Sequence, residues 1–181
     1  MSFDVMLQRI REMIAKTPTQ MGQIIKFGCL TGLRPSEVVE SVRLLNSELT
    51  TSVKYYNSQR QALEHFRFPD IFLRQTKKAY ISFVSPEIVE IVKKLSSRLQ
   101  SPSYNAIRLA IYKQGIKCDM RYCRKLFDSH LIKSGIDSTT VDMLQGRVGK
   151  SVLLRHYQTP DSTLADRVLQ ALHELKREIE G

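Results

Sequence analysis

Apolar side chains recur at helical spacing from the start of the chain. Val5, Ile10, Met13 and Ile14 define one face of an amphipathic helix that the Thr17-Pro18 pair ends. A second apolar segment, Met21 to Leu30, stops at Thr31-Gly32. Pro35 suits the first turn of a third helix, whose buried face is Val38, Val39, Val42 and Leu45. From Leu49 to Ser85 the pattern changes. Ser52 to Tyr56 and Ile71-Phe72-Leu73 read as extended, Gln59 to Phe66 as a short helical turn, and Ala79 to Val84 alternates like a strand. Helical spacing then returns over Pro86–Leu99, Tyr104–Gln114, Met120–Ser134, Ser138–Gln145, Lys150–Tyr157 and Ser162–Glu180. Gly115, Gly135 and Gly146 fall where three of these helices break, and Asp161-Ser162 supplies an N-cap for the last. The expected fold is α+β, mainly α-helical with one small antiparallel β-sheet. One domain spans 1–181: residues 1–20 form an N-terminal helix or linker, 21–160 the core, and 161–181 a C-terminal helix.

Charge changes the picture. Lys and Arg number 28 against 18 Asp and Glu, a formal net charge of +10. Such an excess draws polyanions by long-range steering and counterion release. Cys29, Cys118 and Cys123 lack the spacing of a disulfide framework or a zinc site, and read as reduced, mostly buried thiols. No apolar run approaches the ~18 residues of a membrane span, and the first eleven residues do not have a signal-peptide layout. An intracellular, cytoplasmic protein is the expectation.

Four settings carry candidate chemistry. Arg34 lies where a turn feeds the Pro35-started helix, so charge and free backbone N–H groups would hold a phosphate together; pairing with Glu37 is the structural alternative. Arg124 falls on the apolar stripe of Met120, Phe127 and Leu131, where a cation is costly without an anion. Asp128 is its candidate intrahelical partner, and Arg121 shares the face and doubles the charge. Lys77 and Lys78 stand between two extended stretches, where an ammonium can reach a cleft and give up a proton. Tyr157 ends the series. Its phenol is ionised to only about one part in a thousand at neutral pH, a deficit of about 4 kcal/mol that converging arginines would offset. Six other tyrosines compete, with Tyr122 the nearest rival.

These blocks resemble the catalytic domain of the tyrosine recombinase (integrase) family over roughly Gly22 to Pro160. Thr31-Gly32-Leu33-Arg34-Pro35-Ser36-Glu37 is similar to the family's T-G-L-R-x-x-E. Arg121 to Phe127, continuing through His130-Leu131-Ile132 to Gly135, is similar to its H-x-x-R-H-x-F…H-L-L…G box. Leu144-Gln145-Gly146-Arg147 followed by Tyr157 is similar to L-x-G-H…Y. The resemblance implies that Arg34 and Arg124 clamp a scissile DNA phosphate and that Glu37 buttresses the first arginine. It implies that Lys77 protonates the departing 5′ hydroxyl and that Tyr157 forms a 3′-phosphotyrosyl link. The link stores the ester energy, so neither ATP nor metal nor other cofactor is implied. Lys78, Lys150 and Arg155 join these groups as expected DNA contacts. The partners implied are double-stranded DNA and further protomers, up to a tetramer on DNA.

The sequence also departs from the pattern. Arg121 stands where the family has His, and Arg147 where it has His or Trp; a guanidinium is a poor proton shuttle, so an electrostatic role replaces a basic one. Tyr157 follows Arg147 at an interval one residue longer than in typical bacterial members. The substitution at Arg121 is typical of integrases from archaeal viruses and plasmids, the fuselloviruses included. Only some 20 residues precede the homologous region, so the chain reads as a catalytic fragment lacking the N-terminal DNA-clamping domain. The last helix, with Leu164, Val168, Leu172 and Leu175 at helical spacing, packs either in cis or on a neighbouring protomer. Two other functions fit the same residues: nicking and resealing in the manner of a type IB topoisomerase, and DNA binding without catalysis.

Overall fold

A computed structural model describes residues 1–47, 54–74, 77–96, 102–147 and 162–181, excepting the side chains of Lys77, Leu95, Ser96 and Ser162. Helix α1 (Phe3–Lys16) is capped by Ser2, whose hydroxyl accepts from the Val5 amide. It buries Met6, Ile10 and Met13. Val5, expected on the inner face, is 40% exposed, because Met6, four residues before Ile10, takes that place on the stripe. Helix α2 (Thr19–Thr31) is the hub of the fold. Its residues from Ile24 to Thr31 are all buried, and α1, α3 (Pro35–Ser47), α5 (Pro86–Ser96), α7 (Arg121–Lys133) and α9 (Ser162–Glu180) all pack on it.

Two glycines decide how closely neighbouring segments approach. Gly32 ends α2 with φ +63, and a Cβ there would lie 2.5 Å from the Phe127 ring of α7. Gly146 has φ +65, and its missing Cβ leaves room for the Ala79 nitrogen and the Lys78 carbonyl carbon, at 2.5 and 2.6 Å. Both positions need a left-handed backbone that glycine adopts without strain.

Helix α3 (Pro35–Ser47) buries Val38, Val39, Val42 and Leu45 as its spacing predicts. The sheet that follows differs in detail from the sequence reading. Strands β1 (Tyr56–Asn57), β2 (Ala62–Glu64) and β5 (Ile81–Phe83) form an antiparallel sheet in the order β1-β2-β5, with Leu63 opposite Ser82. The stretch expected to be a helical turn thus contains β2 and then a 3₁₀ turn, His65–Arg67. All three β2 residues are buried, so no alternation marked it. Ile71-Phe72, expected to be extended, lies in the one-turn helix α4 (Pro69–Phe72), which Pro69 starts. Strands β3 (Leu73–Arg74) and β4 (Lys77–Lys78) make a separate antiparallel pair, with Arg74 opposite Lys77.

Helices α5 (Pro86–Ser96), α6 (Tyr104–Lys113), α7 (Arg121–Lys133), α8 (Ser138–Leu144) and α9 (Ser162–Glu180) complete the described chain. Gly115, Gly135 and Gly146 adopt positive φ after α6, α7 and α8. The expected helix Lys150–Tyr157, the Asp161 cap and the Ser52-Val53 part of the first strand lie outside the described residues. Helix α9 packs on α1, α2 and α7. His130 is bonded to the Ala171 carbonyl (2.8 Å), and the buried Lys26 ion-pairs with Glu180. Cys29, Cys118 and Cys123 are free thiols. Among the described residues no helix is long and apolar enough to cross a membrane.

A buried polar chain joins the sheet to the helices. Ser41 meets the Tyr55 hydroxyl (2.8 Å), which meets His65 Nδ1 (2.6 Å); His65 Nε2 meets Ser82 Oγ (2.9 Å), which donates to the Thr31 carbonyl (3.3 Å). Burial pushes the His65 imidazole down to about 3, so the folded protein holds it neutral. The unfolded chain takes up that proton near pH 6.5. The stability His65 contributes is therefore complete above that pH and is lost as pH falls toward 3, by about 1.4 kcal/mol per unit. Denaturant titrations between pH 6.5 and 4.5 should show a shallower decline in His65→Gln than in the parent chain; parallel slopes would refute the assignment. Replacing Gly146 by Ala should cost about 2–5 kcal/mol, combining left-handed strain with backbone overlap. Gly135→Ala, with nothing within 4 Å of the new Cβ, should lose only the conformational part, about 1–2 kcal/mol. Equal melting temperatures for the two variants would contradict this.

Candidate functional site

Arg34 sits between the end of α2 and the first residue of α3. Its amide donates to Glu37 Oε2 and its Nη1 to Glu37 Oε1, both at 3.0 Å. The buried Glu37 thus closes the capping arrangement of α3 and orients the arginine at the same time. The guanidinium is left half-buried beside the helix start, with 21% of the side chain exposed.

Arg124 reaches the same place from α7. Its Nη1 donates to the Gly32 carbonyl (2.8 Å) and its Nη2 to the Gln145 carbonyl (2.6 Å). One guanidinium therefore bridges the α2–α3 turn and the end of α8. Both partners are neutral carbonyls, and among the described residues Arg124 makes no ion pair. Asp128, its expected intrahelical partner, pairs instead with Arg147. Burial first, and then the nearby charges of Arg34 and Arg147, pull the Arg124 guanidinium down to about 10. It remains charged at neutral pH, in surroundings that favour an added anion.

Arg147 follows Gly146 directly. Its amide donates to the Asp142 carbonyl (2.8 Å), and its Nη1 lies 3.1 Å from Asp142 and 3.3 Å from Asp128. On the other side of Gly146, its carbonyl accepts from the Lys78 amide (3.4 Å). The Lys77-Lys78 strand is thereby held against the turn that carries Gln145 and Arg147. Arg34, Arg124, Arg147 and the backbone of the lysine hairpin share one location.

Arg121 does not join them. Its side chain is 75% exposed, and its guanidinium is held by Asp119 at 2.6–3.1 Å. Asp119 also accepts from the Arg121 amide (2.7 Å), so this pair serves the start of α7. The Tyr122 ring is covered by Lys125, whose Nζ lies 5.0 Å from the ring centre. Tyr157, Lys150 and Arg155 lie outside the described residues, as does the Lys77 side chain. Sequence reasoning missed Gln145, which bonds Arg124 through both main chain and side chain. Its signal, a polar residue between Leu144 and Gly146, is faint. Among the described residues no cluster of three or more His, Cys, Asp or Glu side chains could hold a metal ion.

No curated protein and no solved structure matches the chain. A family model described as archaeal phage integrase matches residues 4–174, extending on both sides of the Gly22–Pro160 stretch that carries the motifs. With nearly its whole length matched, the chain belongs to the archaeal phage integrase family.

Proposed function

We propose that the protein is the catalytic domain of a tyrosine-type site-specific DNA recombinase that integrates or excises a mobile element. The convergence of Arg34, Arg124 and Arg147, with the central guanidinium making no ion pair among the described residues, carries this reading. A DNA phosphodiester supplies the anion that such a cluster favours, and planar guanidiniums suit its paired oxygens.

In the proposed reaction Arg34 and Arg124 hold the two non-bridging oxygens, and the Tyr157 hydroxyl attacks phosphorus. The new bond joins the phenolic oxygen to phosphorus, and the bond to the 5′ oxygen breaks. The phenolic proton passes to solvent, and the leaving oxygen takes a proton from Lys77. Attack by a 5′ hydroxyl on the phosphotyrosine reverses these steps and restores the diester. No net bond energy is consumed, so the scheme includes neither ATP nor metal. Arg147 adds positive charge for the transition state, whereas Arg121, turned onto Asp119, is given no part in the step. Lys78, Lys150 and Arg155 are assigned to flanking phosphates. Exchange between two duplexes breaks four strands, one tyrosine each, so a tetramer on DNA fits the same scheme.

A duplex nicked beside the cleavage point traps the covalent step. Incubation without added metal should yield a denaturation-resistant protein–DNA adduct, and Tyr157→Phe should abolish it. Arg124→Ala and Arg34→Ala should each reduce its rate by about 10²–10³-fold, as loss of a preorganised charge-stabilising donor does. An adduct that survives Tyr157→Phe and disappears in Tyr122→Phe would move the nucleophile. Binding without any adduct would leave a non-catalytic DNA-binding protein, and nicking and resealing without strand exchange would indicate topoisomerase-like activity. DNA affinity should fall steeply between low and physiological salt, with the log–log slope becoming about one unit shallower for each phosphate-contacting lysine or arginine removed. A flat salt response would rule out phosphate binding.

A further inference from the structure

Gln145 follows the last turn of α8 and is fully buried. Its Nε2 donates to the Arg124 carbonyl (2.8 Å), while its own carbonyl accepts from Arg124 Nη2 (2.6 Å). The two residues thus exchange hydrogen bonds across 21 positions of sequence. The remaining polar atom, Oε1, is buried and finds no hydrogen-bond partner among the described residues. An acceptor stranded in this way destabilises a fold, whereas an apolar side chain of similar volume would not. Packing alone gives no reason to keep an amide here.

We infer that Gln145 is a positioning residue for Arg124. The inference rests on the reading of Arg124 as a phosphate-clamping group. With Nη1 on the Gly32 carbonyl and Nη2 on the Gln145 carbonyl, the guanidinium plane is fixed. Three of its five N–H donors stay available for an anion. Its aim therefore depends on where the 145 carbonyl lies relative to α7, and the Nε2 bond sets that distance. The same turn bears Arg147 and, through the Gly146 carbonyl, the Lys78 amide. One buried amide thereby holds three parts of the site in register. The cost is a stranded oxygen, an instance of stability given up for function.

Gln145→Met and Gln145→Glu separate this role from packing. Methionine removes the donor and the stranded acceptor, while glutamate keeps the shape and an acceptor but removes the donor. The Met variant should melt at the same temperature as the parent or above it and bind duplex DNA within about threefold. Both variants should form the covalent adduct about 10–100-fold more slowly at saturating DNA, the penalty of a slightly misplaced group. Nuclear magnetic resonance of ¹⁵N-arginine-labelled protein without DNA tests the geometry independently of the chemistry. The parent should show separate, hindered Nη signals for Arg124, and the Met variant averaged ones. A parent that forms no adduct would overturn the phosphotyrosine reading, and the resonance comparison would still decide the inference. Resolved Nη signals in Gln145→Met, a parental adduct rate, or a rate loss matched by a lower melting temperature would each overturn it.

Discussion

A guanidinium held by two main-chain carbonyls is the constraint on which the rest of the site depends. Arg124 joins the turn before α3 to the end of α8 without using a carboxylate. An ion pair would have satisfied its charge and left little for a ligand. Neutral carbonyls fix the side chain without neutralising it, and Glu37 and Asp128 act on its charge without binding it. The two other cations of the cluster are treated differently. Arg34 is paired with Glu37, and Arg147 faces Asp128 and Asp142. Among the described residues, the cation without an ion pair is therefore the central one.

Holding like charges together requires a frame that does not yield. Gly32 lets the Phe127 ring press on the α2–α3 turn, and Gly146 lets the lysine hairpin lie against the α8 end. Neither contact can relax by rotating a side chain at the glycine, so both are specified by the backbone. Behind them, the chain from Ser41 through Tyr55, His65 and Ser82 to the Thr31 carbonyl ties the sheet to the end of α2. A neutral imidazole suits this place because it donates from one nitrogen and accepts at the other. The frame is thus assembled from close backbone approach and satisfied buried polar groups, with the apolar core around α2 as its support.

How much of this was legible in the sequence depends on whether the signal was local. Helices announced themselves through spacing and breaks: α3 through Pro35 and its valines, α7 through Met120, Phe127 and Leu131, and three helix ends through their glycines. Strand β2 did not, because burial on both faces erases alternation. Ile71-Phe72 looked extended by composition, and Pro69 outweighed that by starting a helical turn. At the site, Arg34 and Arg124 could be picked out because a cation beside a turn or on an apolar stripe is locally anomalous. Their partners could not. The carbonyls of Gly32 and Gln145 carry no residue-type signature, and the Asp128–Arg147 pair spans two elements. Arg121 shows a related limit: helical spacing places it beside Arg124, whereas Asp119 just ahead of the helix holds its guanidinium.

These partnerships explain why the depressed titration of Arg124 bears on function more than on stability. A charge that is half-buried, repelled by two like neighbours and without an ion pair among the described residues destabilises the unliganded fold, even with Glu37 and Asp128 nearby. An anion that meets all three cations reverses the sign of that contribution, since each repulsion becomes a shared attraction to one centre. Because the carbonyls already hold the guanidinium, little reorganisation is needed when the anion arrives. A surface arginine cluster free to splay apart would gain less from the same ligand, having lost less without it. On the proposed reading, the arrangement around Arg124 would favour a compact anion between α2, α7 and α8, and a phosphodiester is such an anion.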